Sequence, residues 1–429
     1  MKIAIDLSVL QSDHKFRGIG SVVINFINNL ESKDKNNNTF VFFVERKEEE
    51  KAFDQLNLVD INYEVRYLSS RNYLTLPGKL NLIPKLFYKT SGYIQFLTGD
   101  SRIARVDMRD VNRFIQFDQN HKLPRRASRN SALFLHDLIP YVLESDYLWS
   151  FKTARLNGRS FKGSVRFALL RYQYISRIKI STRRARILIA NSEHTKNDFV
   201  DYIGVNPKKV HVALLGVNHT ESKVISQPPT FEAYKSTMWG DVKRTLNPSE
   251  KPYLLFIGGT DHRRKMVDLL AAYNNLKARG HDISLIISGD SVEGINDIKN
   301  PKMKQYMEDN TSYSDDIHLL GYITNDQRDW LYSNALAFVF PSVYEGFGLP
   351  VLEAMSQNAP VITYKNTAIA EVAGDKAIYA NGFLEIIDEV ENLIKNPAYA
   401  TEVKSNGIKH SSSFTWTKTK DKILKSLQA

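Results

Sequence analysis

"FVFPSVYEGFGLPVLEAM", residues 338–355, decides how this chain is read. Phe338-Val339-Phe340 is apolar enough for a buried strand. Pro350 suits the opening of a helix, where its missing N–H is an orphan anyway. Between them lie Gly346 and Gly348, which let a backbone approach a ligand closely. Two carboxylates, Glu345 and Glu353, stand with seven residues between them. Free amides at a helix start attract anions. Two acids beside a phosphate would repel it, so their use is to accept hydrogen bonds from hydroxyls. A ligand carrying both phosphate and sugar hydroxyls satisfies the whole stretch. On residue type alone, Glu353 can equally be a first-turn acid favoured by the helix dipole, and Glu345 a solvated loop residue.

The strand–turn–helix pattern recurs along the chain. Strands are expected at 3–7, 40–44, 64–68, 132–135, 186–190 and 210–214. Between the first two, Val22, Val23, Phe26, Ile27 and Leu30 mark one face of a helix. Gln227-Pro228-Pro229-Thr230 breaks the pattern, and 230–250 reads as connector with some helix. A second series follows, with strands at 253–257, 283–287, 317–321, 335–340 and 360–363 and helices near 265–279, 326–334 and 350–357. Buried strands alternating with helices imply an α/β protein of two doubly wound, Rossmann-like domains. They are placed at 1–228 and 229–411, with an amphipathic C-terminal helix within 412–429 packing back near the first. The carboxyl ends of both sheets then face a central cleft, where open α/β sheets hold their ligands.

Composition agrees with two cores. A chain of 429 residues is too long for one, and 42% apolar with 24% charged residues is a globular mixture. No cysteine is present, which excludes disulfides, thiolate metal sites and Cys nucleophiles and fits a reducing compartment. The N-terminus reads as a first strand and not as a signal peptide. No apolar run approaches the ~20 residues that cross a bilayer. The expected location is cytoplasmic, free or held on a membrane from one side.

The net charge of +11 is unevenly spread. Residues 1–240 carry 37 Lys+Arg against 23 Asp+Glu, and residues 241–429 carry 21 against 24. Within 148–192 stand eleven basic residues and no acid. Phe161, Phe167, Leu169, Leu170, Tyr172, Tyr174, Ile175 and Ile178 interleave with them. A basic amphipathic helix of this kind suits an anionic membrane surface. A solvated Arg-rich helix face, with some of the apolar residues in the core, is the alternative.

Glu345-Gly346-Phe347-Gly348-Leu349-Pro350, followed by Glu353, closely resembles the E-x7-E signature of retaining family 4 glycosyltransferases, whose fold is GT-B. The resemblance covers nearly the whole chain. Gly18-Ile19-Gly20 is similar to that family's N-terminal glycine loop, Leu135-His136-Asp137 to its histidine loop, and Asn191-Ser192-Glu193 to the stretch near the end of its first domain. Gly259-Thr260-Asp261-His262-Arg263-Arg264-Lys265 resembles its diphosphate segment, with Thr260 where the family often has arginine.

The resemblance implies a nucleotide-sugar donor bound mainly by the second domain and a glycan or lipid-linked acceptor on the first. It implies that Glu345 lies against the donor sugar, Glu353 accepts from the ribose, and the amides of 346–349 touch sugar and phosphate. Lys265 would neutralise the diphosphate, helped by Arg264 or Arg263. Gly18, Gly20 and Gly259 would face the phosphates, and His136 would reach the sugar. A growing negative charge on the leaving diphosphate needs such fixed cations. No Asp-x-Asp occurs and the histidines lack ligand spacing, so no metal or other cofactor is expected. The first strand ending at Asp6, the Gly18-Ile19-Gly20 loop and the Arg264-Lys265 pair resemble a bacterial mannosyltransferase branch, which makes GDP-mannose the first donor, with UDP- and dTDP-hexoses open. Two other classes stay open: a nucleic-acid binder, which would need a motif not found here, and a nucleotide-sugar-binding relative or partner subunit without transferase activity.

Overall fold

The computed structural model describes residues 1–12, 15, 18–68, 106–218, 229–237, 240–289, 292, 304–306, 309 and 315–428. The chain divides into two units, Met1–Gly216 with Trp416–Ala429, and Val217–Thr415.

The first unit holds a seven-stranded, fully parallel sheet ordered β3-β2-β1-β4-β5-β6-β7. Its strands are β1 (Lys2–Asp6), β2 (Thr39–Val44), β3 (Tyr63–Tyr67), β4 (Arg113–Gln116), β5 (Ser131–Leu135), β6 (Ile187–Ala190) and β7 (Val210–Val212). Ala4, Val41, Phe43, Phe114, Leu133 and Leu188 form one core face. Ile3, Ile5, Phe40 and Phe42 of the alternate positions are equally buried. Burial on both faces is why these strands read as continuous apolar runs. Helices α1 (Gly18–Asn28), α2 (Ser32–Asn37), α3 (Glu49–Phe53), α4 (Ile139–Val142), α5 (Phe151–Leu156), α6 (Phe161–Arg184) and α7 (Glu193–Asp198) belong to this unit.

The second unit has an eight-stranded sheet ordered β15-β14-β13-β10-β11-β12-β8-β9. Six strands are parallel: β10 (Tyr253–Ile257), β11 (Ser284–Ser288), β12 (Ile317–Leu319), β13 (Ala337–Phe340), β14 (Val361–Tyr364) and β15 (Ile378–Ala380). Its helices are α8 (Met266–Ala278), α9 (Asn325–Asn334), α10 (Leu349–Ser356), α11 (Thr367–Ala373), α12 (Phe383–Lys395) and α13 (Pro397–Ser411). Helix α14 (Trp416–Ser426) returns to the first unit.

Three expectations are corrected. The 230–250 connector is an antiparallel hairpin, β8 (Phe231–Thr237) and β9 (Gly240–Leu246), added to the sheet edge beside β12. Its polar sequence lacks the long apolar run of strands buried on both faces. The division falls at Gly216/Val217, ahead of the expected 228/229, and within the second unit the Val217 N–H donates to the Phe414 carbonyl (3.1 Å). Residues 219–228, including Gln227 and Pro228, lie outside the described ones, as do Arg17 and Asp290. Helix α10 starts at Leu349, so Pro350 is its second residue, where the missing N–H is still an orphan.

Candidate active site

In an open α/β sheet, ligands bind at the carboxyl ends of the strands where the strand order reverses. In the second unit that point lies between β10 and β13, and residues 258–265 and 341–348 leave the sheet there. The turn after β10 runs through Gly258, at φ 156°. An added Cβ at Gly258 would meet the Arg264 guanidinium at 2.9 Å, so the glycine makes room for that side chain. Lys265 caps α8 in a left-handed conformation (φ 44°, ψ 43°) that non-glycine residues seldom adopt. Its side chain is exposed and makes no ion pair among the described residues. The second turn, after β13, is tied to the first by the Val343 N–H, which donates to the Arg263 carbonyl (2.8 Å).

Glu345 is where the two turns converge. Its residue is 8% exposed, so its charge needs partners. Arg263 Nη1 pairs with Glu345 Oε1. Arg264 Nε approaches the same oxygen at 3.4 Å, and the Ser342 hydroxyl donates to it at 3.0 Å. Oε2 takes no hydrogen bond among the described residues, which leaves one carboxylate oxygen for a ligand. Arg264 also donates from Nη1 to the Gly259 carbonyl (3.1 Å) and lies over the Phe340 ring at 5.7 Å. Burial and the adjacent Arg263 pull the Arg264 pKa down, with Glu345 opposing them; a guanidinium nonetheless stays charged.

Gly348 turns the chain into α10 at φ 96°. Phe347 is buried, so its side chain serves the core. The N–H groups of Phe347, Gly348 and Leu349 donate to no acceptor among the described residues, which keeps them available to an anion. One turn into α10, Glu353 stands 3.5 Å from Arg328 Nη1 of α9. Burial raises the Glu353 pKa, against the pull of Arg328. Burial disfavours the Arg328 cation, yet Glu353 and Asp329 outweigh it and raise its pKa.

The remaining expected residues belong to the first unit. His136 directly follows β5 and is 7% exposed. Its Nε2 lies 2.7 Å from the Phe117 carbonyl, an acceptor only, so Nε2 carries the proton. Gln119 accepts from the His136 N–H (2.8 Å), and Asn191 Nδ2 donates to the His136 carbonyl (2.9 Å). Phe117 and Gln119 follow β4, and the strand order of this sheet reverses between β1 and β4. Gly18 and Gly20 form the first turn of α1. A Cβ on Gly20 would sit 2.3 Å from the Lys15 carbonyl oxygen, which explains that glycine sterically. A cavity of ≈ 240 Å³ in the same unit is lined by Asn120, Leu148, Leu170, Gln173, Tyr174, Arg177 and Ile178.

The structure thus brings Arg263, Arg264 and Glu345 together and gives Glu353 a partner, Arg328, that the sequence did not announce. Arg328 is the one basic residue of α9, near its N-terminal end where a cation is disfavoured; that is the only signal it left. Among the described residues one group of three carboxylates, Glu31, Asp34 and Asp421, lies close enough to share a cation. Lys420 Nζ fills it, at 2.6 Å from Asp34 and 2.7 Å from Asp421.

Two doubly wound units, each with its switch point, define the GT-B class of fold. Solved structures agree over the whole chain: HepE of Anabaena in complex with UDP and glucose (TM-score 0.61, 15% identity, covering 100% of this chain and 99% of that one), and sucrose-phosphate synthase of Thermosynechococcus elongatus (TM-score 0.62, 14% identity, covering 99% and 98%). Residues 239–410 match the family model of glycosyl transferases group 1. An O-antigen chain mannosyltransferase B of Escherichia coli is 33% identical over 167 residues, 38% of this chain and 42% of that protein. An O-antigen chain mannosyltransferase of Salmonella typhimurium is 24% identical over 278 residues, 65% of this chain and 63% of that one. The matches thus span less than two thirds of these curated relatives' length. Residues 239–410 are thus similar to the glycosyl transferases group 1, and parts of the chain are similar to bacterial mannosyltransferases.

Proposed function

We propose that the protein is a retaining glycosyltransferase that moves a hexose, mannose from GDP-mannose in the first instance, to a hydroxyl of a glycan or lipid-linked glycan in surface polysaccharide synthesis. The observation that carries this is Glu345: a carboxylate at the β10/β13 switch point, held through Oε1 by Arg263 with Arg264 close by, with Oε2 left for a sugar hydroxyl. Glu353 takes the ribose. The amides of 347–349 and the exposed Lys265 meet the diphosphate, whose developing charge they stabilise without metal. Because Arg263 and Arg264 are engaged with Glu345, Lys265 is the principal cation for the phosphates. His136, held through Nε2 by the Phe117 carbonyl, orients the sugar. The acceptor hydroxyl attacks from the face the diphosphate leaves, and the diphosphate takes its proton. The names of the relatives, O-antigen chain mannosyltransferases, support the donor and the polysaccharide acceptor.

The acceptor is assigned to the first unit, where the cavity against α6 offers apolar walls with Gln173, Asn120 and Arg177. We also assign the α5–α6 turn to an anionic membrane face, with the protein working from the cytoplasmic side. No described helix is long and apolar enough to cross a membrane.

The test is a thermal-shift screen of GDP-, UDP- and dTDP-hexoses followed by assay of donor hydrolysis. Stabilisation and turnover with GDP-mannose, lost on Glu345→Gln with the fold intact, is the expected result. Full activity in Glu345→Ala would end the assignment, and stabilisation by a UDP- or dTDP-hexose alone would move the donor.

A further inference from the structure

Asn366 and Thr367 stand at the start of α11, outside every motif singled out in the sequence, and their geometry is unusual. Thr367 has φ 40°. A β-branched residue there is a genuine outlier, and such strain persists only where the surroundings over-determine it. What it supports is plain from the contacts. Thr367 Oγ1 accepts the Glu345 backbone N–H (3.1 Å) and donates to Asn366 Oδ1 (2.9 Å). Asn366 Nδ2 in turn donates to the Ser342 carbonyl (2.6 Å) and to the Tyr364 carbonyl (3.3 Å). Ser342 is fully buried, and its hydroxyl donates to Glu345 Oε1. One strained dipeptide therefore holds the 342–345 turn at both ends, by the carbonyl of Ser342 and by the amide of Glu345.

We propose that Asn366 and Thr367 form a positioning clamp that sets the Glu345 carboxylate, directing Oε1 to the arginines and keeping Oε2 for the donor sugar. The clamp acts through Glu345 and touches no reacting atom. The arginines and Ser342 fix one oxygen only; without the backbone bond from Thr367, the turn can pivot about them and carry Oε2 out of register. The functional half of the inference rests on the glycosyltransferase reading of Glu345. The structural half does not.

The variants are Thr367→Val, which keeps the β-branched shape but has no acceptor for the Glu345 N–H, and Thr367→Ser, which restores the acceptor. Two quantities are read on the full chain: hydrogen exchange at the Glu345 amide, and kcat and KM for GDP-mannose hydrolysis. Thr367→Val is expected to speed exchange at Glu345 and to lower kcat by about 10- to 100-fold, since misplacement by about 1 Å can cost that much. The donor KM should stay within about twofold, because the diphosphate and ribose contacts lie elsewhere. Thr367→Ser should return both quantities toward wild type. Unchanged Glu345 exchange in Thr367→Val overturns the clamp. Faster exchange with wild-type kcat overturns its positioning role, and so does an equal loss in Thr367→Ser. A wild-type protein that hydrolyses no nucleotide-sugar would overturn the transferase reading and the clamp's catalytic use, leaving the exchange result to judge the structural half.

Discussion

Glu353 shows how one residue's environment sets a measurable pH dependence. Burial raises its pKa above the ordinary 4.5, against the pull of Arg328. A carboxyl whose folded-state pKa is raised stabilises the fold at low pH and loses that contribution as pH rises through the folded value. The proposed binding of a ribose hydroxyl by the ionised form would run the other way. GDP affinity is therefore expected to fall on acidification at a pH above 4.5, where an ordinary glutamate would still be ionised. Glu353→Gln should flatten that limb, as titration calorimetry across the acid range would show; an unaltered limb would remove Glu353 from donor binding. The two glutamates stand out in the sequence because their spacing lies within one strand–turn–helix unit, β13–α10, and Lys265 because it opens the helix of another, β10–α8. Arg328, Ser342, Asn366 and Thr367 were not, since common polar residues in loops and helix ends carry no periodic signal.

At the scale of elements, the basic run resolves into the α5–α6 pair. Ile178 is buried, and Phe167 packs on Trp149 at 5.0 Å between ring centroids, so part of the apolar pattern is core. At the turn between the helices the side chains stand out instead: Leu156 is 77% exposed and Phe161 69%. Lys152, Arg155, Arg159, Lys162 and Arg166 surround them in sequence. Exposed apolar groups within a basic field suit an anionic lipid interface. The double variant Leu156→Ser, Phe161→Ser is expected to weaken binding to vesicles containing anionic lipid by about tenfold or more, from the apolar area no longer buried. Flotation with anionic and neutral vesicles would check it, and unchanged flotation would leave the turn a solvated surface. Strands buried on both faces were easy to read, whereas β4, with only Phe114 and Ile115 apolar, and the polar edge pair β8–β9 escaped notice. Short strands and polar edge strands lack the long apolar run that burial on two faces imposes.

For the molecule as a whole, the C-terminal helix is what returns the end of the chain to the first unit. Lys420 is fully buried there. Burial lowers its pKa, but Asp34 and Asp421 outweigh that and raise it. Thr419 adds a hydrogen bond from Oγ1 to the Leu214 carbonyl (2.8 Å), and Arg113 donates from Nε to the Leu427 carbonyl. Removing one partner of a buried ion pair costs about 3–5 kcal/mol. Lys420→Met should sit near the low end, about 3 kcal/mol, because Asp421 is half exposed. Denaturant unfolding would measure it, and the added change Asp34→Leu should recover much of the loss. A neutral Lys420→Met would show that the lysine does not hold the helix.

The sequence by itself determined two series of buried strands and helices, the turn from β13 into α10 and the spacing of Glu345 and Glu353. Each is written within a few neighbouring residues, where burial and backbone chemistry dictate residue type directly. Only the tertiary structure decided which charges meet. Arg263 and Glu345 are 82 residues apart along the chain, Thr367 and Glu345 22, and Lys420 and Asp34 386. Such pairs satisfy a buried charge or amide wherever folding brings them, so neither partner needs a local pattern to mark it.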